Sequence, residues 1–174
     1  MTRQENQVEE GEGGSRIVIL GGSFSQLHKG HIGLLSEALK ISKRIRIGLV
    51  EKPENKPLKE LIEDYETRYN NLKKAVIELC PEARLEIFPI NDPYGPSITQ
   101  GDLTDIVCTE ETLPRAIEIN KIRSERGLKP LNVHFIELEL AEDGRAIRST
   151  RIRLGEIDRQ GKLLAKTIDL IYDG

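Results

Sequence analysis

The sequence contains few cysteines and no long apolar segment, and these absences exclude several classes of protein. Cys80 and Cys108 are far apart and have neither zinc-site nor redox-pair spacing, so we expect reduced thiols in a cytoplasmic protein. No apolar run approaches the roughly 20 residues that a membrane-spanning helix needs, and we expect no membrane association. Residues 1–15 lack the apolar region of a signal peptide, and their polar, glycine-rich composition predicts a disordered extension.

The chain also lacks an excess of positive charge. Its formal net charge is −3 over 174 residues, which does not indicate a nucleic-acid-binding surface. Apolar residues make up 37% and charged residues 32% of the sequence, as expected of a soluble globular protein. The length suits one domain with one sizeable core, which we place at residues 16–174. The composition does not indicate an oligomeric state.

Apolar patterning predicts strands and helices that alternate along the chain. We expect strands at 16–20, 44–50, 84–90, 104–109 and 132–140. We expect helices at 31–42, 64–79, 113–125 and 149–161, and 162–174 is compatible with a last helix. This alternation predicts an α/β fold, a Rossmann-like doubly wound parallel sheet of five strands with helices on both faces. In such sheets ligands bind beyond the carboxyl ends of the strands, where the strand order reverses.

The segment GGSFSQLHKGH, residues 21–31, connects the first predicted strand to the first predicted helix. Its two glycines allow a tight turn in which backbone N–H groups approach a ligand, and the following helix N-terminus favours an anion. His28 and His31 are two of only three histidines in the chain. We interpret them as donors of N–H hydrogen bonds to phosphate oxygens.

Three other interpretations of this segment have less support. Two histidines could form part of a zinc site, but no cysteine or acidic residue with metal-ligand spacing adjoins them. Ser23 or Ser25 could act as a nucleophile, but the turn lacks the G-x-S-x-G pattern. A Walker A phosphate loop would need G-K-[ST], which is absent here.

Two further segments should face the same edge of the sheet. RSTRIR, residues 148–153, places Ser149 and Thr150 among three arginines, which could form a second anion site or a helix cap followed by a solvated basic face. Lys52 and Lys56 follow the second strand and could bind an anion, or could belong to an ordinary solvated loop.

Together these motifs make the family recognisable. The pattern G-G-S-F…H-x-G-H after the first strand, with S-T-x-x-R near the C-terminus, resembles the H-x-G-H nucleotidyltransferase superfamily. The segments DPYGP (92–96) and TEET (109–112) are similar to those of phosphopantetheine adenylyltransferases of the archaeal and eukaryotic type. The resemblance extends from about Arg16 to about Asp158.

The resemblance implies transfer of AMP from ATP to 4'-phosphopantetheine, giving dephospho-coenzyme A and pyrophosphate in coenzyme A biosynthesis. It implies small-molecule substrates, with Mg²⁺ carried mainly by the phosphates of ATP and no metal site built by the protein. His31 would stabilise the transition state, His28 would hold the triphosphate, and Lys52 or Lys56 would be the family's lysine. The resemblance further implies nucleotide-binding roles for Gly22, Ser23, Phe24, Gly30, Thr109, Glu110, Glu111, Ser149, Thr150 and Arg153.

The sequence departs from the family pattern at two positions. Ser25 stands where the family commonly has Asp, and Arg148 stands where it commonly has Ser. Two alternative functions also remain: another H-x-G-H nucleotidyltransferase, such as an FAD synthetase or a cytidylyltransferase, or a non-catalytic nucleotide-binding protein. The DPYGP and TEET segments favour the adenylyltransferase over the first, and the intact histidine and hydroxyl motifs favour it over the second.

Overall fold

The computed structural model describes residues 16–165, and its strands and helices alternate as predicted. The strands are β1 (Val18–Gly22), β2 (Arg44–Val50), β3 (Arg84–Ile90), β4 (Asp105–Thr109) and β5 (Asn132–Ile136). The helices are α1 (Lys29–Ile41), α2 (Tyr65–Leu79), α3 (Leu113–Glu125) and α4 (Ser149–Arg153), with short 3-10 helices at Lys59–Leu61 and Gly95–Ile98. The predicted extension at 1–15 lies outside the described residues. Among residues 16–165 no helix is both long and apolar enough to cross a bilayer.

The five strands form one parallel sheet in the order β3-β2-β1-β4-β5, which confirms the predicted fold class. β1 is central, because the chain adds β2 and β3 on one side of it and β4 and β5 on the other. The direction of winding therefore reverses between β1 and β4. A crevice at the carboxyl ends of these strands is the expected ligand site of such a sheet.

Each face of the sheet is covered by helices. Side chains alternate along β1, so that Val18 and Leu20 point to the face covered by α1 and α2, whereas Ile19 points to the face covered by α3. Leu35 of α1 and Ile119 of α3 are buried in these two clusters. The two cores fix the positions at which α1 and α3 begin, both at the carboxyl edge of the sheet.

Two predicted elements near the C-terminus were too long. β5 ends at Ile136 rather than at residue 140, because residues 137–139 leave the sheet and line a cavity. α4 ends at Arg153 rather than at 161, and Gly155 follows it with a φ of +72°. Beyond it, Ile157 forms an antiparallel bridge with Leu163. Residues 162–165 are therefore not helical, and the remainder of the segment 162–174 lies outside the described residues.

Candidate active site

Two neighbouring cavities open at the carboxyl edge of the sheet. The smaller, of about 310 Å³, lies between the start of α1, the loop after β5 and the segment 147–153. The larger, of about 460 Å³, lies over the ends of β1 to β4 and against the start of α3, and its lining is mainly apolar. Glu111 lines both cavities. The site can therefore hold two ligands, or two parts of one ligand, side by side.

The two histidines cap α1, which begins two residues earlier than predicted. His28 is the N-cap residue, and its Nδ1 accepts hydrogen bonds from the backbone N–H of Gly30 (3.0 Å) and of His31 (3.4 Å). His31 returns the interaction, because its Nδ1 accepts from the backbone N–H of His28 (3.2 Å). This is a capping box in which histidines occupy both positions. The two rings stack with their centroids 3.7 Å apart and line the smaller cavity.

The same hydrogen bonds determine the charge and tautomer of both rings. Burial, with a smaller contribution from the charge of Arg159, lowers the pKa of His28 from 6.5 to about 4. Burial, followed by the charges of His28 and Lys56, lowers the pKa of His31 to about 3. Both rings are thus neutral at pH 7, and because Nδ1 accepts in each, the ring proton lies on Nε2. Each histidine offers one neutral N–H donor to a ligand.

Gly30 is required by the histidine pair itself. A Cβ at this position would lie 2.9 Å from Cε1 and 3.0 Å from Nδ1 of the His28 ring. Any side chain here would displace the ring that caps the helix. The resemblance implies a nucleotide-binding role for Gly30, whereas the contact that excludes a side chain here in the structure is with His28.

The turn before α1 has an unusual backbone that is held from outside. Phe24 and Gln26 have φ values of +47° and +43°, in the left-handed region that non-glycine residues rarely adopt. The backbone N–H of Gln26 donates to both carboxylate oxygens of Glu63, and its side chain donates to the carbonyl of Leu61. The buried Phe24 ring lies 5.2 Å from the His31 ring. Tertiary contacts therefore impose a shape that local sequence would not adopt alone.

Arg68 is a buried cation that joins three loops behind this turn. It is 1% exposed, and its guanidinium donates to the backbone carbonyls of Ser23, Val50, Glu51 and Glu63 at 2.7–3.0 Å. Because these acceptors are uncharged carbonyls, they do not neutralise the guanidinium, and its charge helps to lower the pKa of Lys56 in the smaller cavity. Arg68 was not among the residues predicted from the sequence. Its signal was a position on the apolar stripe of α2, four and eight residues before Leu72 and Val76.

The segment 149–153 supports the turn from the other side. The Ser149 hydroxyl donates to the Ser25 carbonyl (2.6 Å), and the Thr150 hydroxyl accepts from Nη2 of Arg153 (3.1 Å). The buried Arg153 guanidinium also donates to the Ser25 hydroxyl, the Gln26 side chain and a backbone carbonyl at residue 57. Ser149, Thr150 and Arg153 all line the smaller cavity. Their contacts hold the turn, and their role in binding an anionic part of the nucleotide stays a prediction.

The structure brings only one of the two candidate lysines into the site. Lys56 lines the smaller cavity and donates to the Ser23 hydroxyl (2.6 Å), whereas Lys52 lines neither cavity. Burial and the nearby charges of Arg153 and Arg68 lower the pKa of Lys56. The geometry favours Lys56 over Lys52 as a ligand-binding residue.

The TEET segment lies between the two cavities. Thr109 and Glu111 line the smaller cavity, and Glu110 lines neither. Glu111 forms an ion pair with Arg148, the residue directly before α4. Gly22, at the end of β1, lines the larger cavity.

The DPYGP segment and α3 form one wall of the larger cavity. The Tyr94 hydroxyl donates to Glu118 (2.7 Å), and the Asp92 carboxylate accepts from the backbone N–H groups of Tyr94 and Gly95. Behind the segment lies Arg123, a fully buried residue of α3 that donates to the carbonyls of Ser97, Gln100 and Lys129. Arg123 was not predicted from the sequence either, although it lies on the apolar stripe of Ala116 and Ile119.

Comparisons with known proteins agree with this architecture. The model of the cytidylyltransferase-like family matches residues 19–155. A phosphopantetheine adenylyltransferase of Methanosarcina barkeri is 40% identical over 149 residues, which cover 84% of this chain and 91% of that protein. One from Methanopyrus kandleri is 39% identical over 144 residues, which cover 82% of this chain and 91% of that protein.

A solved structure is also similar. The crystal structure of a protein of unknown function from Archaeoglobus fulgidus is 29% identical and superposes with a TM-score of 0.61 over 69% of this chain and 88% of that chain. The match to the family model over most of the chain, and relatives near 40% identity over nearly their whole length, are sufficient to assign the family. The chain belongs to the phosphopantetheine adenylyltransferases, within the cytidylyltransferase-like family.

Proposed function

We infer that this protein transfers AMP from ATP to 4'-phosphopantetheine, producing dephospho-coenzyme A and pyrophosphate. The observation that carries this inference is a pair of neutral, cap-fixed histidines in a cavity lined largely by polar and charged residues, beside a larger cavity lined mainly by apolar residues. Such an arrangement suits a reaction between a phosphate-rich donor and an acceptor with a long, weakly polar arm. The names of the relatives point to the same reaction.

ATP would occupy the smaller cavity. Its phosphates would meet the Nε2–H groups of His28 and His31 and the ammonium of Lys56, with the buried charges of Arg68 and Arg153 behind them. Between residues 16 and 165 no three His, Cys, Asp or Glu side chains form a group that could hold a metal ion. Mg²⁺ would accordingly enter as part of the substrate Mg-ATP, bound through phosphate oxygens.

The reaction needs positioning and charge stabilisation more than it needs a strong base. A phosphate oxygen of the acceptor forms a bond to the α-phosphorus of ATP, and the bond from that phosphorus to the bridging α–β oxygen breaks. Pyrophosphate leaves with the electron pair, and AMP remains joined to the acceptor. Because the acceptor phosphate is already anionic near neutral pH, the protein must align it and stabilise developing charge. His31 would donate from Nε2 to an α-phosphate oxygen, and His28 would hold the triphosphate.

The acceptor would occupy the larger cavity. Its apolar lining suits the pantetheine arm, and Glu111 marks the boundary at which the acceptor phosphate would approach the nucleotide. The unpaired cysteines, Cys80 and Cys108, are consistent with the cytoplasmic location that we propose. We also propose that the domain comprises residues 16–174 and that residues 1–15 precede it as an extension.

The test is pyrophosphate release from Mg-ATP with a panel of acceptors. We expect 4'-phosphopantetheine to be used far better than FMN, nicotinamide mononucleotide or glycerol 3-phosphate. Faster release with one of the other three would identify a different nucleotidyltransferase. ATP binding without release of pyrophosphate for any acceptor would instead indicate a non-catalytic nucleotide-binding protein.

A further inference from the structure

The three arginines of the segment 148–153 lie in three different environments. Arg151 is buried and binds two carboxylates outside both cavities. Arg153 is buried, and its donors are occupied by the loops around the turn. Arg148 is different, because its side chain is 47% exposed, lines the smaller cavity and pairs with Glu111. It is the arginine of this segment whose partner is an exposed side chain at the cavity surface.

The partner of Arg148 can be exchanged at little cost. The Glu111 side chain is also 47% exposed. Exposed ion pairs of this kind contribute little net stability, because water solvates both partners when they separate. A guanidinium binds a phosphate group through two parallel hydrogen bonds, with more charge on the acceptor than a carboxylate carries. A phosphate that reaches Arg148 therefore competes well with Glu111.

The surroundings of Arg148 show which ligand could reach it. The same cavity contains His28, His31 and Lys56, all donors suited to phosphate oxygens. The neighbouring Ser149 hydroxyl is already occupied by the Ser25 carbonyl. Arg148 is thus the group of this segment that is best placed to bind the far end of a polyphosphate.

We propose that Arg148 exchanges its ion pair with Glu111 for the terminal phosphates of a nucleoside triphosphate, so that Glu111 competes with the ligand for this guanidinium. The proposal rests on the proposed function only in taking the smaller cavity as the nucleotide site. On this proposal the Arg148–Glu111 pair contributes to specificity. A nucleotide gains affinity from Arg148 only if its phosphate chain extends beyond the α-phosphate.

Calorimetric binding of ATP, AMP and inorganic pyrophosphate to the full chain tests the proposal. Arg148→Gln should weaken ATP and pyrophosphate binding about 10- to 100-fold, the loss typical of a hydrogen bond to a charged group, and change AMP binding less than about threefold. Glu111→Gln should tighten ATP binding about two- to fivefold, because the competitor is lost. In the Arg148→Gln background, Glu111→Gln should have no effect on ATP affinity.

The exposed pair of Lys43 and Glu82 supplies a matched control at the opposite edge of the sheet. Lys43→Gln and Glu82→Gln remove the same charges far from both cavities and should leave ATP affinity within about twofold. The proposal is overturned if Glu111→Gln tightens ATP binding equally in the unmodified protein and in the Arg148→Gln variant, because the Glu111 carboxylate would then simply repel the phosphates. It is also overturned if Arg148→Gln weakens the binding of ATP, AMP and pyrophosphate by the same factor. Unchanged ATP affinity in Arg148→Gln, with normal acceptor turnover, would overturn this proposal alone. The expected affinities without formation of dephospho-coenzyme A would overturn only the acceptor assignment.

Discussion

Arg68 and Arg123 are two buried arginines, one on each face of the sheet. Both donate hydrogen bonds to backbone carbonyls of loops, but they differ in how many of their donors are paired. Arg68 binds four backbone carbonyls behind the polar cavity. Arg123 binds three behind the apolar cavity, and its Nη2 has no partner among the described residues. In the part of the chain that the structure describes, every guanidinium nitrogen of Arg68 is thus paired and one of Arg123 is not, so we expect the polar half of the site to be held more firmly than the apolar half. That difference suits a site whose polar half must align the phosphorus that reacts.

Removing the two arginines should have the largest effects on stability. Arg68→Met would leave four buried carbonyls without their donor, and we expect it to lower the free energy of unfolding by about 3–5 kcal/mol. Arg123→Met leaves three carbonyls without their donor but also removes an unpartnered buried N–H group. We therefore expect it to lower the free energy of unfolding by about 1–3 kcal/mol. Urea unfolding of both variants measures the difference. Equal losses would show that the unpartnered Nη2 is of no consequence.

If Arg68→Met does not fold, the conservative variants keep the comparison testable. Lysine retains the charge but supplies fewer donors in a different geometry. Arg68→Lys should raise the KM for ATP more than that for 4'-phosphopantetheine, because it loosens the turn at Ser23. Arg123→Lys should have the reverse effect. The same KM changes in both variants would contradict the division of the site into two halves.

Within the polar half, the two histidines should separate binding from chemistry. Stabilisation present only in the transition state appears in kcat, whereas ground-state contacts appear in ligand affinity. His31→Ala should lower kcat by about 100- to 1000-fold, as the loss of an oxyanion donor does, while ATP still binds. His28→Ala should weaken ATP binding as well as lower kcat. A folded His31→Ala variant with near-normal kcat would reassign the transition-state donor.

The general fold and the position of the site could be predicted from the sequence, but the capping of α1 could not. The apolar patterns of β2, β3 and α3 predicted the boundaries that the structure shows, because the spacing of the buried apolar residues indicates where each of these elements begins and ends. α1 was placed two residues late, since histidine is not an ordinary N-cap residue. The choice of Lys56 over Lys52 depends on the path of the loop after β2, which no local pattern determines. Most of the carbonyls that surround Arg68 and Arg123 belong to loops 17 or more residues away in the sequence, so their convergence on each guanidinium could not be predicted from local patterns.

The capped histidines should also make stability depend on pH. Their pKa values are about 4 and about 3 in the folded protein and near 6.5 in the unfolded chain. Below pH 6.5 the unfolded chain therefore binds more protons, and stability falls as the pH falls. Each ring should contribute about 1.6 kcal/mol of loss between pH 6.5 and 5. Urea unfolding should show a shallower pH dependence for His31→Gln, which retains an acceptor for the capping box, and identical slopes would argue against the lowered pKa of His31.

The smallest expected effect concerns how tightly the apolar half is packed. Gly95, in the DPYGP segment, has a φ of +51°, and a Cβ there would lie 2.6 Å from Cγ2 of Ile90, which lines the larger cavity. Gly144 also has a positive φ, +78°, but no heavy atom lies within 4 Å of its added Cβ. Both alanine substitutions incur the left-handed backbone cost of about 1–2 kcal/mol, and only Gly95→Ala adds a packing collision of about 1 kcal/mol or more. Because the collision moves a wall of the larger cavity, Gly95→Ala should also raise the KM for 4'-phosphopantetheine without changing that for ATP. Equal stability and equal KM values in the two variants would mean that the wall of the larger cavity shifts easily to accommodate the added methyl group. The weaker anchoring that Arg123 gives to the apolar half of the site would then apply to its cavity wall as well.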